Sequence, residues 1–245
     1  MPEPTAVLAP KRYRHLSGSA LKVIAVISML IDHIAAHVLI YNPRVTTLLF
    51  TVGKIEVTWY FVLRTIGRLA FPIFCFLLVE GFMYTRNRKR YGISLALFAL
   101  ASEVPFDLVR SLTPYDPTYQ NVFFTLLLGY LSLCAFEYFA DRPALQATCV
   151  IGLALGSMGL LCDYGPRGYA LILILYFLRQ NAVAKTALGC CVTTATWRAG
   201  LAFIPINFYN GTRGFIKGPV LKFAFYAFYP VHLFILWRVR LQLGV

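Results

Sequence analysis

An aspartate and two histidines stand inside an apolar run. Asp32, His33 and, one helical turn later, His37 fall within LKVIAVISMLIDHIAAHVLI, residues 21–40. Ionisable groups at hydrocarbon depth are costly and normally face a cavity or a partner. A buried neutral imidazole takes and returns a proton near neutral pH, which is the work of a general base. Further polar groups recur in other apolar runs: Glu103 and Asp107 on one helical face, His232 near the end of the chain, and the arginines Arg64, Arg68 and Arg198. Counting about 1.5 Å of rise per residue from each span centre puts these groups in one layer, between the midplane and the outer face. A shared cavity accounts for that layer better than independent packing contacts would. A purely structural network of ion pairs, acids Asp32, Glu103 and Asp107 against the three arginines, is the alternative.

Neighbouring helical residues point about 100° apart, so Asp32 is expected to pair with an arginine of another helix and not to orient His33. His33 and His37, four residues apart, have the spacing to share a metal. No third ligand pattern accompanies them, and no metal is expected.

The elements that must carry these groups are membrane helices. The chain has 245 residues, 59% hydrophobic and 13% charged, and soluble domains carry roughly 25% charged residues. The expected fold is all-α, a polytopic helical bundle with about eight spans at residues 21–40, 66–84, 92–109, 121–140, 144–162, 169–178, 184–204 and 221–237. Lys11, Arg12 and Arg14 precede the first span, and the cluster TRNRKR at residues 85–90 follows the second. Both place their side in the cytoplasm by the positive-inside rule, and the even count puts both termini there. Residues 1–17 read as a basic cytoplasmic tail and 18–245 as one transmembrane domain, with an outer-face loop at 43–65 that dips into the interface. The net charge of +13 belongs largely to such loops, so nucleic acid is not an expected partner. The six cysteines lie in or beside apolar runs without CxxC spacing and read as small hydrophobes.

Several stretches together resemble the TraX family: LKVIAVISMLIDH at 21–33, IGRLAFPIFCFLLVEGF at 66–82, Arg86-Asn87, SEVPFD at 102–107, NVFFTLLLG at 121–129, Asp163-Tyr164-Gly165, and YPVHL at 229–233. The resemblance runs in order over most of the chain. It implies a multi-pass protein of the bacterial inner membrane. The family's named member acetylates the N-terminal residue of conjugative pilin, and the family is similar to transmembrane acyltransferases that draw on cytoplasmic acyl-CoA. There a histidine on an early helix is catalytic, and His33 is the matching position.

The expectation is therefore acetyl transfer from acetyl-CoA to an amine or hydroxyl of an acceptor that is a pilin-like peptide, a glycan or a lipid. His33 acts as base and Asp32 holds a neighbouring arginine. Arg68, Glu103 and Asp107 line the cavity, Asn121 donates to the carbonyl oxygen, and His232 is a second proton carrier. Arg86, Arg88, Lys89 and Arg90 receive the CoA phosphates. The competing expectation is a proton-coupled transporter, for which intramembrane Asp, Glu and His are equally natural. A non-enzymatic assembly scaffold is a third.

Overall fold

The computed structural model describes residues 14–245. Lys11 and Arg12, and with them most of the expected basic tail, lie outside the described residues. Helix α1, Gly18–His37, begins where the Ser17 hydroxyl accepts the amide of Ala20, which satisfies one of the open first-turn donors. A 3-10 turn, Leu39–Tyr41, and the short α2, Pro43–Thr46, lead into a two-stranded antiparallel sheet of β1, Leu48–Val52, and β2, Ile55–Thr58. Gly53 opens its tight turn at φ +62°, where a side chain would be strained.

Helix α3, Trp59–Gly67, runs almost directly into α4, Ala70–Tyr84, and together they make a candidate span, Trp59–Tyr84. The expected loop at 43–65 thus needs correction. It holds a hairpin and most of α3, and the span starts seven residues earlier than residue 66. The hairpin also makes the chain not strictly all-α. Charge misled the sequence reading here: Arg64 looked like a loop residue because its buried partner lies on another helix.

Helix α5 is Arg88–Ser111, followed by α6, Val122–Tyr138, α7, Pro143–Gly159, and α8, Gly165–Phe177. Three helical segments, residues 18–41, 59–84 and 88–111, are long and apolar enough to cross a membrane, and several shorter apolar helices pack beside them. The core joins Leu21, Ile73, Phe82, Leu95, Leu133 and Leu171 from five of these helices.

The expected seventh span, 184–204, is not one helix. Helix α9, Ala182–Val192, is followed by a 3-10 segment, Thr194–Ala202, and by α10, Phe203–Asn207, which folds back along α9. Asn207 donates to the Thr186 hydroxyl, and Phe203 lies so close to Gly189 that a Cβ there would collide with it. The loop after α10 pairs with the start of α1: the amides of Gly18 and Ser19 donate to the carbonyls of Thr212 and Arg213 at 2.8 and 2.9 Å. Helix α11, Pro219–Leu243, therefore starts beside the beginning of α1. It ends at the far end, where Arg240 donates to the Val109 carbonyl and the Tyr41 hydroxyl. The expectation of both termini on one side is not confirmed: residue 14 and residue 245 lie toward opposite ends of α1, a helix about 30 Å long. The return of residues 193–207 is the reason, because it brings the chain back to the end of the bundle from which α9 set out.

Candidate functional site

Helices α1 and α11 run side by side in the same direction and bring His33 to His232. Nδ1 of His33 lies 2.7 Å from Nε2 of His232, and the two rings are within 4° of coplanar. The other nitrogen of His232, Nδ1, is 2.7 Å from the Phe228 carbonyl one turn back on its own helix. A carbonyl only accepts, so His232 carries its proton on Nδ1 and presents a lone pair at Nε2. His33 then carries its proton on Nδ1, and its lone pair is at Nε2. This chain of bonds leaves His33 in the tautomer of a base. His37 lies 5.9 Å from His33, ring to ring, and the Tyr229 ring is 6.0 Å away on the α11 side.

Asp32 points away from this pair, as adjacent helical positions must. Its Oδ2 accepts from Arg64 at 2.7 Å, and Arg64 also reaches the Asp32 carbonyl at 3.3 Å. The pairing expected from sequence is realised, with Arg64 as the arginine. Close approach of α3 to α1 depends on Gly67, since a Cβ there would overlap the Asp32 carboxylate. Arg68, at the C-terminal cap of α3, lies within electrostatic reach of Asp32, Asp163 and the Tyr164 phenol. Arg198, on the 3-10 segment, lies over the Phe61 ring at 4.6 Å and 3.5 Å from the Thr65 hydroxyl.

Between Arg68 and the turn at 163–168 lies a cleft of about 170 Å³, lined by Arg68, Asp163, Tyr164, Arg167 and Thr193 among others. Tyr164 holds the turn at φ +63° with its ring stacked 3.6 Å from Phe71. That left-handed backbone costs a non-glycine residue roughly 1 kcal/mol, and the stacking fixes it. Burial pushes Asp163 up to about 6, against the opposing pull of the Tyr119 hydroxyl at 3.0 Å and of Arg68. Burial, together with Asp163, pushes Tyr119 up to about 12.

The remaining expected residues divide. Asn121 is fully buried, and both sides of its amide are engaged. It donates to the Ala99 carbonyl at 2.8 Å and to Glu103, while its own oxygen caps α6 at the amide of Phe123. Its expected role as donor to a substrate carbonyl is corrected to a structural one. Glu103 thus faces Asn121 and not an arginine. Asp107 accepts the amide of Asp116 in the loop after α5, which makes it an anchor for that loop. Of the basic cluster, Arg88 pairs with Glu137 and lies 4.3 Å over the Phe82 ring, whereas Arg86, Lys89 and Arg90 are exposed at the end of the bundle where α1 begins.

Sequence reasoning passed over Tyr229, Asp163 and Tyr164 as site residues. Each sits in a stretch that carried the family resemblance, and the positive φ at Tyr164 has no signature in residue type. Tyr229 bridges the histidine pair to the cleft, because it is near His33 and His232 on one side and feels Asp163 and Tyr164 on the other.

The profile of the TraX family, described as TraX protein, matches residues 17–240. The chain is 31% identical over 257 aligned positions to the probable fimbrial assembly protein FimC, serogroup H1, of Dichelobacter nodosus, covering 93% of this chain and 97% of that relative. No solved structure matches. The matched residues span every element from α1 to α11, the histidine pair and the cleft included, and the chain belongs to the TraX family.

Proposed function

We propose that the protein is a membrane-embedded acyltransferase of the bacterial inner membrane that moves an acetyl group from acetyl-CoA to an amine or hydroxyl of a pilus subunit. The observation that carries this reading is the tautomer imposed on His33 by His232 and the Phe228 carbonyl. In this reading His33 Nε2 takes the proton of the acceptor N–H or O–H as the new bond to the acyl carbon forms. The bond from that carbon to sulfur breaks, and His33 returns the proton to the departing thiol. Asp32 and Arg64 hold α1 against α3, which keeps the His33 side of α1 turned toward α11 and His232. The exposed Arg86, Lys89 and Arg90 suit solvated phosphates of the donor, while Arg88 orients the loop through Glu137. The fimbrial assembly relative supports a pilus subunit as acceptor.

The test is transfer of label from acetyl-CoA in membranes holding the wild type or His33→Ala. Label should enter a membrane-associated peptide with the wild type and fall by about 10²- to 10⁴-fold in the variant. Full transfer by a well-folded His33→Ala protein would remove His33 from the reaction. One observation favours a second reading, proton-coupled transport: the interrupted segment 182–207 beside a charged layer resembles the broken helices of transporters. Uptake driven by a pH gradient in proteoliposomes, without any thioester, would select it.

A further inference from the structure

The charged layer does not balance. Arg64, Arg68 and Arg198 lie together, with the exposed Arg167 at the mouth of the cleft, and among the described residues Asp32 and Asp163 are the carboxylates that oppose them. Asp32 is taken by Arg64. Asp163 accepts from Tyr119 and is shared with Arg68. Arg198 has an aromatic face and a hydroxyl but no carboxylate partner among the described residues. Phe61, Thr65 and Arg68 are spaced i, i+4 and i+7 on α3, so Arg198, which touches the first two, is stacked along the face that ends in Arg68. The Arg68 Nε is buried without a hydrogen-bond partner among the described residues, at the wall of the cleft. Guanidinium groups withdrawn from water without a counter-charge are costly, and a site that keeps them takes its anion from a ligand.

We infer that the cleft between Arg68 and the turn at 163–168, with Arg198 behind its Ala199 wall, binds an anionic group, a phosphate or a carboxylate, carried by the acceptor or by a neighbouring lipid. Its volume of about 170 Å³ is ample for such a group, and the planar guanidinium fork suits both chemistries. The turn at 163–168 lies where α7 ends and α8 begins, at the end of the bundle opposite the exposed basic residues 86–90. The anion therefore arrives from the acceptor side and not with the donor. Assignment of the anion to the acceptor side rests on the proposed acetyl transfer, whereas anion binding at Arg68 does not.

The experiment uses the purified full chain and its tryptophan fluorescence, because Trp197 is the direct neighbour of Arg198. Inorganic phosphate and succinate are titrated against chloride at matched ionic strength, and acetyl-CoA separately. Saturable binding of phosphate or succinate is expected at millimolar concentration. It should weaken about tenfold or more in Arg198→Gln and Arg68→Gln and be largely kept in Arg198→Lys, which also controls for folding. In nanodiscs, competition by phosphatidylglycerol over phosphatidylcholine would identify a lipid as the source, and no competition would identify the acceptor. Absence of saturable binding by the wild type, or binding indifferent to both Gln variants, overturns the site. Acetyl-CoA binding that weakens in parallel in Arg198→Gln overturns the assignment to the acceptor side. A protein that fails to transfer acetyl groups but binds anions in this way sinks only the proposed reaction.

Discussion

Replacing His232 tests the site most directly, because two roles for this residue predict different outcomes. If His232 fixes the tautomer and orientation of His33, what matters is an acceptor 2.7 Å from His33 Nδ1. If it relays protons, a titratable ring is required. His232→Leu removes the acceptor and leaves the buried Nδ1–H of His33 without a partner. A neutral hydrogen bond of this kind is worth about 0.5–1.5 kcal/mol net, and an orphaned buried donor about 1–3 kcal/mol. His33 would relieve that by turning or by moving its proton to Nε2, the atom that must accept. With each 1.36 kcal/mol worth a factor of ten, the turnover of His232→Leu should fall about tenfold to a hundredfold, less than for His33→Ala. His232→Gln offers a carbonyl oxygen near the former Nε2 position and should stay within about threefold of the wild type. The assay is the initial rate of acetyl transfer, split into kcat and KM, since a tautomer effect belongs to kcat. A second readout is the nitrogen NMR signature of the labelled protein, tractable because the chain has 4 histidines. The protonated Nδ1 of His33 should persist in His232→Gln and be lost in His232→Leu. If His232→Gln is as inactive as His33→Ala, the positioning argument is refuted and His232 carries the proton itself.

Other outcomes follow from the same geometry. Arg64→Leu should destabilise the detergent-solubilised protein by about 3 kcal/mol, the lower end for a buried pair because both side chains keep some exposure, and pairing it with Asp32→Asn should recover part of that in thermal unfolding. Gly67→Ala drives a methyl group into Asp32 and should cost about 1–3 kcal/mol, read as a lower Tm, whereas an unchanged Tm would mean that α1 and α3 are not held at this distance. Burial raises Asp163 to about 6 from an ordinary 3.8, so folding favours its protonated form. Its contribution is fully present below about 3.8 and lost as pH rises through about 6; wild-type Tm should fall across that window, and Asp163→Asn should flatten the fall.

Much of the architecture follows from local pattern. The runs that became α1 and α5 are apolar over enough residues that no other element satisfies their backbone in hydrocarbon. The pairing of Asp32 with an arginine elsewhere followed from the helical angle between neighbours and the cost of an unpaired buried charge. Other features depend on partners distant in the chain. The return at 193–207 rests on Gly189 admitting Phe203 and on the loop at 208–213 pairing with the start of α1, and the hydropathy of 184–204 does not mark it. Asn121 has the residue type of a catalytic donor, and only its contacts with Ala99 and Glu103 reveal that it caps a helix instead.

Residue type and hydropathy by themselves determined that the chain is a bundle of apolar helices with a buried polar layer, because burying an ionisable group is penalised wherever it occurs. They also placed His33 and His232 near one depth, since helix rise converts position in the chain into depth. Tertiary structure alone decided that the two rings meet, which nitrogen of each carries the proton, and that Arg64, Arg68 and Arg198 gather around Asp32 with Asp163 beside Arg68. Those outcomes depend on the direction and rotation of α11 against α1 and α3, and both were set by a chain reversal that local pattern does not encode.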